Sequence, residues 1–182
     1  IKQGGVKMEY IKYEKTYVMM EEENHSFAND ETGRVGGVIK IETGNGKGAI
    51  KADISNLLYS SIYAYKLIFF GRKKEKTIYT VVGDISVTEA GEGRGYFRFT
   101  PENADGAGNE LKDYSIAVIA AVSLDDGREP LRPVARGNFT GEKPSQVLKN
   151  EKKKAYSSYY REFLTESCGK IADNISFYED IR

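Results

Sequence analysis

The chain is poor in the side chains on which most catalytic and metal chemistry is built. It has one cysteine, Cys168, and one histidine, His25, among 182 residues. A single thiol forbids an intrachain disulfide, removes thiolate-rich zinc sites and suits a reducing compartment. One histidine in a polar loop, with no evident partner, offers neither a metal pair nor an acid–base dyad. Net charge is missing too. Twenty-seven Lys and Arg balance 27 Asp and Glu, so no overall field draws the chain to nucleic acid or to an anionic bilayer. No run approaches the roughly 18 apolar residues of a membrane span, and no apolar signal-peptide core stands near the start. The expectation is a cytoplasmic protein with no nucleic-acid partner, no membrane span, no metal and no cofactor.

Tryptophan is absent, but 13 tyrosines and 8 phenylalanines are present, and such side chains suit a pleated, half-buried surface. From Tyr13 to Phe139 apolar and polar residues alternate in short runs, broken about every eight to twelve positions by turn residues. In Val38 to Glu42 and again in Ile50 to Ile54, the isoleucines fall on one face and the charges on the other. The turn Gly44-Asn45-Gly46-Lys47 joins them, since glycine and asparagine tolerate positive φ. Tyr63 to Phe70 and Tyr114 to Val122 are continuously apolar and read as central strands; Gly83 reads as a bend or bulge. Pro130 and Pro133 argue for an edge position for the last strand, Leu131 to Phe139. About eight strands with hairpin-length connections predict an antiparallel β-sandwich of immunoglobulin-like type, with a barrel as second choice.

The period then changes. Residues 140–146 read as a linker, and 147–182 as an amphipathic α-helix that Gly169 weakens by about 1 kcal/mol. Tyr156, Tyr160, Phe163, Ile171 and Ile175 recur along it with mostly helical spacing. Its aromatic stripe either covers an open face of the β domain or docks a partner chain, because buried aromatics anchor such contacts. Tyr156, Tyr160, Phe163 and Ile171 are the candidate partner-binding residues; the partner is another protein, a second copy or a further C-terminal region. Residues 1–12 read as a leader or tail. Gln3-Gly4-Gly5-Val6 can be encoded by a ribosome-binding GGAGG placed before Met8, which would make Met8 the native start. The far end reads as a truncation of a longer protein.

Motifs with a chemical meaning mostly have simpler explanations. Gly44 to Gly48 superficially matches a phosphate loop, but no helix follows to aim N–H groups at a phosphate. Arg94 to Phe99 overlaps an RNA-recognition octamer without its required small residue; Tyr96 and Arg98 on a wet face, with Phe97 and Phe99 inward, account for it. Asp125, Asp126 and Glu129, or Asp105, Asn109 and Glu110, follow no calcium-ligand spacing. Cys168, among Phe163, Leu164 and Ile171, reads as packing. Arg128, Arg132 and Arg136 recur at spacing four in the last strand. A strand puts such positions on one face, and the row could pair carboxylates or phosphates of an anionic ligand. Edge protection, because charge on an exposed edge discourages unwanted pairing, is the favoured reading.

The segments YEKTYVMMEEE (Tyr13 to Glu23), GYFRFTPENADG (Gly95 to Gly106) and PLRPVARG (Pro130 to Gly137) together resemble an uncharacterised family from spore-forming Clostridia. The resemblance covers most of Tyr13 to Phe139. It implies a bacterial origin, a longer parent protein, and a place in sporulation or at the spore or cell envelope; it brings no activity and no site residues. The sequence reading is thus a non-enzymatic interaction or structural module. The alternative is a β domain that binds a carbohydrate or other anionic polymer through exposed tyrosines and the arginine row.

Overall fold

A computed structural model describes residues 13–127 and 129–140. Within them the chain forms β1 (Glu14–Glu22), β2 (Gly36–Gly44), β3 (Lys47–Ser55), β4 (Tyr63–Lys73), β5 (Lys76–Val87), β6 (Gly93–Phe99), β7 (Tyr114–Ser123) and β8 (Arg132–Asn138). Every ladder is antiparallel, and the order β1-β2-β3-β6-β5-β4-β7-β8 closes on itself. The closing contact pairs Glu21 with Arg136 and Glu22 with Ala135.

The architecture is therefore a closed eight-stranded barrel, and the expected β-sandwich is overturned. Alternation alone does not separate the two, because both bury every second residue. Strand order decides. After β5, the chain places β6 against β3 instead of starting a second sheet, and β8 reaches back to β1. No α-helix occurs among the described residues, whose helical turns are 3-10 turns at His25–Phe27 and Leu111–Asp113. The helix expected over 147–182 and the leader over 1–12 lie outside them.

Eight strands enclose a space just wide enough for side chains to fill. Val18, Met20, Ile39, Ile41, Ile50, Ala52, Ile54, Leu67, Phe69, Ala117, Ile119 and Ala121 fill it. The four isoleucines that the hairpin pattern placed inward are at most 3% exposed. Two walls of the barrel differ outside. Along β1, β2, β3 and β6 the outward positions are mostly charged or tyrosine, with Met19, Val38, Ala49 and Ser55 among them. Along β4 and β7 they are Ile68, Phe70, Ile116, Val118, Ala120 and Val122, which form a second apolar cluster. This second cluster is why those two strands read as continuously apolar.

Two irregularities carry consequences. The β4–β5 register slips at Leu67/Ile68, leaving Val82 unpaired beside Gly83, so the bend read at Gly83 is a bulge. The β7–β8 register slips at Ile119/Ala120, skipping Val134. Strand β8 is not an edge, as its prolines suggested. It pairs on both sides, but β1 reaches only Ala135 and Arg136, so Pro133 lies beyond that ladder and next to the bulge, where a missing N–H costs nothing.

Candidate functional site

Cross-strand register assembles a functional surface from residues far apart in sequence. Tyr17 lies opposite Lys40, Lys40 opposite Lys51, and Lys51 opposite Tyr96. The result is a Tyr–Lys–Lys–Tyr row across four strands, roughly 14 Å from end to end at normal strand spacing. Tyr17 is 49% and Tyr96 61% exposed. One pleat lower, Lys15 lies opposite Glu42, Glu42 opposite Ala49, and Ala49 opposite Arg98.

That lower row is concave. Its middle position is Ala49, and Gly44 and Gly48 beside it carry no side chains, while Tyr13, Lys15, Lys47 and Arg98 stand around them. They enclose a groove of about 540 Å³, with Glu14, Glu42 and Thr43 completing its lining among the described residues. The Tyr13 ring lies over Gly44, close enough that any side chain there would displace it.

Charge is distributed unevenly along this wall. Lys40 is held by Glu42 at 2.5 Å, and Lys51 is 3.8 Å from Asp53. Arg94 is 3.2 Å from Glu92 and 3.9 Å from Asp53. The hydrogen bond between Lys40 and Glu42 raises the lysine and lowers the carboxyl from their ordinary pKa values. By contrast, no carboxylate among the described residues lies within ion-pair distance of Lys15, Lys47 or Arg98. The groove therefore offers three cations outside any ion pair, two carboxylates, of which Glu42 is held by Lys40, and an aromatic face, a combination suited to an anionic group on a ring-bearing chain.

The arginine row does not assemble. Arg128 lies outside the described residues. The bulge at Val134 reverses the parity between the other two: Arg136 aligns with the outward Val118, and Arg132 with the inward Ala121. Each has a carboxylate partner. Arg132 is 2.7 Å from Glu129, and Arg136 is 2.8 Å from Glu23. Glu129 also accepts from the Tyr63 hydroxyl at 3.1 Å. Tyr156, Tyr160, Phe163, Ile171 and Cys168 lie outside the described residues.

Other acidic positions serve the fold. Asp105 accepts from the Asn109 side chain, the Tyr114 hydroxyl and the N–H groups of Ala107 and Asn109. Burial opposes ionisation there, but those hydrogen bonds prevail and hold its pKa at about 2. No group of three or more His, Cys, Asp or Glu residues able to hold a metal ion occurs among the described residues. His25, read as partnerless, has Glu22 at 2.9 Å from Nδ1 and the Glu31 carbonyl at 3.0 Å from Nε2. The hydrogen bond to Glu22 is the main cause of its raised pKa.

Sequence reading missed Lys15, Lys40, Lys47, Lys51 and Tyr17 as a set. Alternation showed Lys40 and Lys51 as outward, but only the β3–β6 pairing brings Tyr96 and Arg98 to them. No family model matches the chain, and no curated protein or solved structure matches it.

Proposed function

We propose that this chain is a non-enzymatic binding module whose β1-β2-β3-β6 wall holds an acidic carbohydrate polymer. The groove between Tyr13, Lys15, Lys47 and Arg98 carries the proposal, and the Tyr17–Lys40–Lys51–Tyr96 row extends it across the barrel. Tyrosine faces stack on the apolar faces of sugar rings, and unpaired cations supply carboxylate recognition. An exposed wall favours a long chain running over it, since the barrel interior is filled by side chains. Bacterial origin and a place at the spore or cell envelope are part of this reading and rest on the family resemblance alone.

Retention on immobilised polygalacturonate, against neutral dextran, tests it. The full chain should be retained on the acidic polymer and released by salt. Lys15→Ala with Arg98→Ala should weaken retention at least tenfold, and Tyr96→Ala severalfold. Equal retention on dextran, or no effect of the double substitution, overturns the reading.

A second reading, protein contact or self-association, is favoured by one observation. Tyr59, Ile62 and Leu124 are 53%, 45% and 44% exposed, and the last two meet through a 2.8 Å backbone hydrogen bond at one barrel end. Sedimentation of the full chain with and without Leu124→Asp distinguishes it: a concentration-dependent dimer lost in the variant supports this contact.

A further inference from the structure

The outward residues of β4 and β7 are more deeply buried than a barrel exterior allows. Ile68, Phe70 and Val118 are 0% exposed, and Ala120 and Val122 are 1% exposed. Even Lys66, outward on β4 and paired with Asp84, retains only 7%. On the opposite wall, the outward Tyr17 and Tyr96 are 49% and 61% exposed. The register places Val81, Ile68 and Val118 in one cross-strand row, and Tyr79, Phe70 and Ile116 in the next. These rows form one apolar strip, with Leu131 at its margin. Among the described elements, β7 makes its substantial contacts with its ladder neighbours β4 and β8, and β4 makes its own with β5, β7 and the short turn at Leu111–Asp113. None of these forms a layer over the strip, yet it is buried within a single copy of the chain.

We infer that the cover is the chain's own C-terminal segment, residues 147–182, laid along β7 and β4 with Tyr156, Tyr160 and Phe163 on Ile68, Val118 and Ala120. Three observations single out this occupant. The chain leaves β8 beside the strip: Asn138 pairs with Ile116, and the Phe139 N–H donates to the Ser115 carbonyl at 2.9 Å. The segment that follows carries the aromatic stripe, whereas residues 1–12 hold a single aromatic, Tyr10, and no such periodic stripe. Those residues also join the barrel at Tyr13, beside the groove on the opposite wall. Finally, the strip from Ile116 to Val122 is about 20 Å long, which roughly 14 helical residues would span. Burying an apolar stripe on an apolar wall removes both from water, the usual reason an amphipathic segment docks. The barrel then has one wall closed by its own chain and one left for ligand.

Photocrosslinking in the full chain tests this. Tyr160 is replaced by p-benzoylphenylalanine, and equal amounts of ¹⁴N- and ¹⁵N-labelled protein are mixed before irradiation. Crosslinks should map to β4 and β7 and join peptides of the same isotope. Mixed-isotope crosslinks would assign the strip to a second copy, and crosslinks to β1, β2, β3 or β6, or none to β4 and β7, would place the segment elsewhere; each overturns the inference. Ala120→Glu in the full chain adds an independent readout. Tryptic cleavage at Lys149 to Lys154 should accelerate at least tenfold, and an unchanged rate overturns the inference. If that variant does not fold, the crosslink map still decides.

Discussion

The Arg136 guanidinium lies 2.8 Å from the Glu23 carboxylate, tying β8 to the chain just past β1 where the barrel closes. The backbone ladder there has two residue pairs, extended by the Glu23 and Asn24 N–H groups donating to the Val134 carbonyl, so this ion pair adds a side-chain tie to a short seam. With side chains 14% and 26% exposed, both groups are poorly hydrated, and removing one takes a close counter-charge from the other. Arg136→Met should lower stability by about 1–2 kcal/mol, read as a shifted urea midpoint. Amide exchange at Glu21 and Glu22 should accelerate more than at Ile39 or Ile50. Uniform acceleration across the barrel would show that the seam is not a local weak point.

Asp105 makes the loop between β6 and β7 acid-sensitive. Its folded pKa of about 2 is below the unfolded value of about 3.9. The contribution is thus complete above about pH 4 and disappears as the pH falls toward 2. Allowing for solvent screening of a partly buried group, it is worth about 1 kcal/mol. Asp105→Asn should lose that amount at pH 7 and flatten stability between pH 4 and 2, measured by thermal melts across the range.

His25 titrates in the opposite sense. Glu22 raises its pKa, so its stabilisation is present below the unfolded value near 6.5 and fades as the pH rises through the folded one. Imidazole NMR titration should give a pKa above the ordinary histidine value. Glu22→Gln should bring it down, leaving the Glu31 carbonyl as the remaining acceptor. A titration unchanged by Glu22→Gln would refute the pairing.

Gly71 tolerates no side chain for a reason unrelated to φ. It sits at the irregularity where β4 meets Tyr114, and a Cβ there would run into the backbone carbonyl of Asp113. Backbone cannot yield as a side-chain tip does. Gly71→Ala should therefore cost about 3 kcal/mol, seen as a fall in the chemical-denaturation midpoint.

Much of the core was legible in the sequence because burial follows local period. Ile39, Ile41, Ile50 and Ile54 went inward, Phe97 packed against the core, and Tyr96 and Arg98 stayed wet. The glycine–asparagine turn joined β2 to β3. The arginine row failed because one extra residue, Val134, reversed a parity that simple counting assumes. The groove was invisible because its members come from β1, the β2–β3 hairpin and β6. The edge reading of β8 failed because proline shows where an N–H is missing, not which strands lie alongside.

The sequence by itself determined that eight strands form, where they turn, and which face of each avoids water, since these depend on neighbouring residues. Tertiary structure alone decided that β6 pairs with β3 and that β8 meets β1. Those pairings join segments distant along the chain, and their stability comes from filling one shared interior. No local pattern encodes which strand lies next to which, so the barrel and the binding wall it creates emerge only on closure.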